Sequence, residues 1–195
     1  MECSELARAA GEAQGGTGAT ATTWLCLEQP GPWGVDALRR SDFARHLPTA
    51  EGLRTVLIRE PGRARQARRR RTAYVACTVP GRSWLRRVTF TDPREVLEWD
   101  LSPSSTVGDS CAYPMLLVCT NGKRDMCCAL RGRPLADDLA RRHRGAVWES
   151  SHLGGHRFAP AVLALPTGYS YGWMDTEACD HVLAEAVAGR VVVDR

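Results

Sequence analysis

The chain has 195 residues, 44% hydrophobic and 25% charged, with a formal net charge of +4, which is enough for one large domain or two small, intimately packed ones. No run approaches the ~18 consecutive apolar residues of a membrane helix. The opening residues, Met1 to Gly11, are charged and lack the apolar core of a secretory signal, so a cytoplasmic location without a membrane partner is expected.

In chain order, residues 1–22 start with a short helical stretch and pass into Gly15-Gly16-Thr17-Gly18, a flexible entry to a first strand at about 23–28. That strand ends in Gln29-Pro30-Gly31-Pro32-Trp33-Gly34, where proline and glycine enforce a turn. Strands recur near 55–60, 73–79 and 84–91, and 93–99 reads as a short helix with Pro93 in its first turn. The clearest linker is Ser102-Pro103-Ser104-Ser105-Thr106-Val107-Gly108-Asp109. It suggests an N-terminal α/β region over 1–108 and a second unit over 109–195. The second unit reads as strand 113–119, helix about 128–143, strand 146–149, strands 160–165 and 169–173, helix 175–188 and strand 190–193. Pro134 implies a break or restart of the first of these helices near Gly132-Arg133. A β-α-β start, a hairpin and a final helix make a thioredoxin-like layout. The expected fold class is α/β, a mixed sheet flanked by helices with the N-terminal half packed against it. No internal repeat is evident.

Six arginines, Arg63, Arg65, Arg68, Arg69, Arg70 and Arg71, fall within nine residues. They lie between two expected strands and carry no interleaved aromatics for base stacking, so the run reads as a solvated connecting loop. Charge alone also allows docking onto an acidic redox partner or binding to nucleic acid.

Chemistry concentrates further on. Cys119-Thr120-Asn121-Gly122-Lys123-Arg124-Asp125-Met126-Cys127-Cys128 is followed, after 23 residues, by His152-Leu153-Gly154-Gly155-His156. Thiolates and imidazoles in one neighbourhood suit zinc or an iron–sulfur cluster and discriminate against magnesium and calcium. The clustering of cysteines in one motif and histidines in the other differs from a Rieske centre, which pairs one Cys with one His in each. Adjacent glycines between the histidines place them on a loop rather than on a zinc-finger helix. Cys119 would close a strand and Cys127/Cys128 would open a helix, where free N–H groups, Lys123 and Arg124 favour thiolate. Arg124 and Asp125 are candidates for shaping the ligand loop. Cys26, Cys77 and Cys179 sit in apolar contexts and read as small buried hydrophobes. His46, His143 and His181 lack evident partners. Trp24, Glu28, Trp33 and Trp173 could cover the site, although such tryptophans are more often core.

These two motifs, together with Trp24-Leu25-Cys26-Leu27-Glu28-Gln29-Pro30-Gly31-Pro32-Trp33-Gly34, resemble the sucrase/ferredoxin-like family. The likeness runs from about residue 3 to the end. It implies a thioredoxin-like ferredoxin carrying a [2Fe–2S] cluster, with Cys119 and Cys128 as thiolate ligands and His152 and His156 as imidazole ligands. Cys127 is the alternative second thiolate. Bacterial members commonly continue into a further small domain, which this sequence does not include.

No dinucleotide fingerprint, P-loop, Gly-x-Ser-x-Gly elbow or pair of catalytic carboxylates is recognisable, and no catalytic residue is assigned. The expected function is a one-electron carrier serving redox partner proteins, with imidazole ligation raising the potential and coupling it to protons. The rivals are a thiol-based redox or peroxide-response enzyme using Cys127 and Cys128, and a zinc-stabilised interaction module.

Overall fold

The segment Trp24-Leu25-Cys26-Leu27 is apolar at every position, and such a strand needs cover on both faces. In the computed structural model, which describes residues 2–62 and 70–193, it forms the buried centre of β1 (Thr23–Glu28). The other strands are β2 (Leu53–Arg59), β3 (Arg71–Cys77), β4 (Trp84–Phe90), β5 (Asp109–Ser110), β6 (Met115–Cys119), β7 (Val147–Ser150), β8 (Val162–Leu165) and β9 (Tyr169–Tyr171). The helices are α1 (Cys3–Ala9), α2 (Met126–Arg142) and α3 (Thr176–Val187). All the strands join one mixed sheet in the order β5-β4-β3-β1-β2-β7-β6-β8-β9, so the fold is α/β.

The sheet contains the same pattern twice. β1 runs parallel to β2 and antiparallel to β3, which is antiparallel to β4. β6 runs parallel to β7 and antiparallel to β8, which is antiparallel to β9. Each half therefore orders its strands second, first, third, fourth. The halves meet where the C-terminal ends of β2 and β7 pair antiparallel, at Ile58 with Ser150 and Arg59 with Glu149.

The sheet also folds over on itself. Three inter-strand steps separate β3 from β7, roughly 14 Å in a flat sheet, yet the Tyr74 and Trp148 rings lie 5.6 Å apart, edge to face. One face of each half thus shares a core containing Trp24, Val56, Ile58, Leu117, Trp148 and Leu163. The outer face of the C-terminal half is covered by α2 and α3 through Leu135, Leu139, Val182 and Leu183. Trp33, Phe43 and Val96 cover the outer face of the N-terminal half.

Local differences from the sequence expectations have physical causes. α2 runs through Pro134 without a restart; packing of its Leu135, Ala136 and Leu139 face outweighs the helix hydrogen bond that proline cannot make. Residues 190–193 form no strand, because no strand edge pairs with them; Val192 instead buries singly in the α3 core. The helix at 93–99 is a 3-10 turn over Pro93–Glu98, capped by Asp92. Most of the arginine run, residues 63–69, lies outside the described residues.

Candidate metal centre

The cysteine loop owes its shape to a cap and a close approach. Asp125 accepts the Cys127 N–H at 2.9 Å as the N-cap of α2, which fixes Cys127 and Cys128 in the first helical turn. One helical turn on, Gly132 lies against the end of β6; a Cβ there would sit 2.1 Å from the Cys119 carbonyl oxygen. Only glycine lets α2 press this closely, and the contact turns Cys128 toward Cys119. Both thiols are fully buried.

The histidine loop is pinned from the other half of the molecule. Ser151 N–H donates to the Leu57 carbonyl at 2.8 Å, and the Leu57 N–H donates to Ser151 Oγ at 3.0 Å. Arg54, on β2, donates to the Leu153 carbonyl at 2.6 Å while its guanidinium lies over Trp24. Gly154 and Gly155 then take φ of +98° and +62°, which a side chain would resist, and His156 opens a 3-10 turn over His156–Phe158. The His152 and His156 rings are 6.0 Å apart.

Donor atoms of Cys119, Cys128 and His152 all lie within 4.8 Å of one another. Cys119 Sγ is 3.9 Å from His152 Nδ1. The hydrogen bond from Cys128, seconded by His152 and the Leu153 N–H, holds the Cys119 thiol well below its ordinary range despite its burial. Cys128 is pushed the opposite way by the same hydrogen bond and by desolvation. The two thiols therefore titrate as one coupled pair, Cys119 lowered and Cys128 raised. Burial lowers the Arg54 guanidinium from its ordinary range, and the nearby Cys119 sulfur partly opposes that shift.

His156 faces a second group, with donor atoms of Cys3, Asp125 and His156 within 4.8 Å. Its Nε2 is 3.9 Å from Asp125 Oδ2, and its side chain is 46% exposed. Of the four expected ligands, three converge and the fourth stands beside them on the solvent side. Cys127, the alternative thiolate, lies 3.2 Å from Cys3 rather than in the group with Cys119. Burial, with help from Cys127, pushes the Cys3 thiol up to about 11.

Beneath the cysteine loop lies a buried ion pair. Arg59 donates to Glu149 Oε2 from Nε at 2.8 Å and from Nη2 at 2.5 Å, and Thr120 Oγ1 donates to the same oxygen at 2.6 Å. The Arg59 guanidinium also stacks 3.9 Å over Trp33. This network joins β2, β7 and the residue after Cys119. The sequence carries no signal for it, nor for Arg54 or Cys3, whose partners are remote along the chain. Cys26 and Cys179 are buried and their thiols are raised by desolvation, Cys179 to about 12; Cys77 is equally buried. His143 does have a partner, contrary to expectation, since Nε2 lies 2.7 Å from Asp180 on α3. Trp24 lies in the core with the two site cysteines, and Trp173 donates to the Ser4 carbonyl at 3.3 Å.

A family model described as sucrase/ferredoxin-like matches residues 15–195. The chain belongs to the sucrase/ferredoxin-like family. The matched stretch contains all four expected ligands and Cys127 but not Cys3. No curated protein and no solved structure matches the chain. Membership in a ferredoxin-like family is consistent with a redox role, and both donor groups have residues able to hold a metal ion. Among the described residues no helix is long and apolar enough to cross a membrane.

Proposed function

We propose that this sucrase/ferredoxin-like chain is a one-electron carrier whose [2Fe–2S] cluster is held by Cys119, Cys128, His152 and His156. The observation that carries this reading is the convergence of two buried thiols and one imidazole, with the second imidazole alongside and partly exposed. The donor set fits, since soft thiolates and imidazoles are iron–sulfur ligands. The surroundings fit as well. Ser150, the register partner of Cys119, has a buried hydroxyl with no acceptor among the described residues, and an anionic sulfur centre would satisfy it. Arg54 adds a half-buried positive charge that offsets negative charge at Cys119.

When bound, the cluster supplies a reversible one-electron site, made less negative and higher in potential by imidazole in place of thiolate. The chain's own residues hold and shield that site. Leu117, Leu153 and Trp24 keep water from its inner side. On the outer side, Val35, Leu38, Asn121, Arg124 and His152 line an open groove by which a redox partner protein can approach. The thioredoxin-like reading of the C-terminal half is supported by its β-α-β start, antiparallel hairpin and closing helix.

The test is the visible spectrum of anaerobically purified protein before and after dithionite, with iron, sulfide and zinc measured on the same sample. A chromophore bleached by dithionite, with about two irons and two sulfides per chain, is the expected result. The compact Cys119–Cys128–His152 group also suits a single zinc ion. A colourless, zinc-loaded protein that cannot be reconstituted with iron and sulfide would establish that reading instead. His156→Cys should lower the reduction potential; an unchanged value would remove His156 from the ligand set.

A further inference from the structure

The sulfur atoms of Cys3 and Cys127 lie 3.2 Å apart across 124 residues of sequence. A disulfide needs ~2.05 Å, so the atoms must close by about 1 Å. Cys127 is buried in the first turn of α2, and Cys3 is half-buried at the start of α1. α1 is held in place independently of this contact. Arg131, one turn beyond Cys127, pairs with Glu2 and Glu5 at 2.6 Å each. Ser4 Oγ donates to the Ala159 carbonyl at 2.5 Å, and Glu12, just after the helix, pairs with Arg157. These anchors lay α1 over α2 and over the 3-10 turn that begins with His156, so Cys3 is presented to Cys127 by a docked helix.

We propose that Cys3 and Cys127 form a reversible disulfide, made and broken by exchange with small disulfides and thiols of the glutathione type, which staples α1 over the His156 side of the metal centre. The pair is available because Cys128, not Cys127, is taken as the ligand, and in that respect the inference rests on the proposed function. The exchange balances without a further reactant. One thiolate of the pair attacks a sulfur of the small disulfide, breaking its S–S bond, forming a mixed disulfide and releasing one small thiolate. The second protein thiolate attacks the protein sulfur of that mixed disulfide, forming the Cys3–Cys127 bond and releasing the other. Two protein thiols lose two electrons to the small disulfide, and their two protons go to the two released thiolates. Cys3 lies outside the family match, so this link belongs to the chain's own opening segment.

The experiment uses the full chain with its iron and sulfide measured, treated anaerobically with glutathione disulfide, alkylated, and mapped by peptide mass spectrometry without reduction. A Cys3–Cys127 linked peptide, the loss of two alkylatable thiols and their recovery in excess reduced glutathione are expected. Amide exchange across residues 4–9 should slow about tenfold or more in the linked form. Cys3→Ser should abolish the link and leave iron and sulfide content unchanged. Absence of the linked peptide, or a glutathione adduct that stays on Cys3 without passing to Cys127, would overturn the proposal. So would loss of iron in Cys127→Ser with retention in Cys128→Ser, since Cys127 would then be a ligand. A linked peptide in protein that never binds iron would uphold the disulfide and sink the cluster reading alone.

Discussion

The two halves of the sheet share one strand order and place different chemistry at equivalent positions. In the N-terminal half β1 ends in Glu28, whose carboxylate is spent on the Thr72 N–H at 2.7 Å, and the crossover to β2 is a run of turns over 29–52. In the C-terminal half β6 ends in Cys119, and the crossover to β7 is α2. That substitution matters because the start of a helix offers unpaired N–H groups to thiolates, and a turn segment offers none in a fixed array. The segment after the second strand also differs, being the arginine run in one half and the histidine loop in the other. The N-terminal half instead acts as a brace. Arg54, Leu57 and Arg59, all on β2, hold the histidine loop and the floor of the cysteine loop.

If the halves divide labour in this way, the largest asymmetry lies in metal loading. Cys119→Ala or Cys128→Ala should abolish iron and sulfide binding, whereas Cys77→Ala, equally buried in the other half, should keep full loading at a stability cost of about 1 kcal/mol. Metal analysis of the three variants checks this, and equal loss in Cys77→Ala would break the comparison.

The next largest effect concerns the seam between the halves. Glu149→Gln leaves the Arg59 charge buried without its carboxylate, and a loss of about 3–5 kcal/mol in urea unfolding is expected. A loss below about 1 kcal/mol would place the pair among weak surface bridges and show that the seam does not depend on it.

Gly132→Ala isolates the helix that distinguishes the C-terminal half. Helix propensity alone favours alanine by ~1 kcal/mol, but the new Cβ collides with the Cys119 carbonyl. We expect net destabilisation of about 1–3 kcal/mol together with weakened metal retention. A stabilised variant with full retention would mean that α2 need not press on β6.

A last effect is one the halves should share. Buried Cys26 in the N-terminal half and Cys179 in the C-terminal half are both raised by desolvation, Cys179 to about 12. The folded state therefore keeps protons that the unfolded thiols release above their ordinary value of 9.0. Their contribution to stability is complete below that value and falls as pH rises toward 12. Tyr171, also raised to about 12, adds to the same decline. Urea midpoints compared at about pH 8 and about pH 11 should show the drop, and Cys26→Ala and Cys179→Ala should each lessen it. A drop unchanged in one variant would show that its thiol takes no part in the alkaline sensitivity.

What the sequence determined by itself is local. Apolar runs marked β1 and β6, both buried along their whole length, because a strand covered on both faces must be largely apolar, and the Gly154-Gly155 pair announced a loop because both glycines adopt positive φ. The donor residues were visible because cysteine and histidine carry their chemistry in their identity. Contacts between remote segments were decided only by the tertiary structure. The repeated strand order left no sequence trace, since strand pairing depends on backbone hydrogen bonds that many side chains permit. Cys127 and Cys128 are adjacent in sequence and indistinguishable there; α2, turned by its cap and pressed down at Gly132, points one at Cys3 and the other at Cys119. Arg54, Arg59 and Glu149 read as ordinary strand charges, and became a loop anchor and a buried pair only when the sheet folded over and took water away from them.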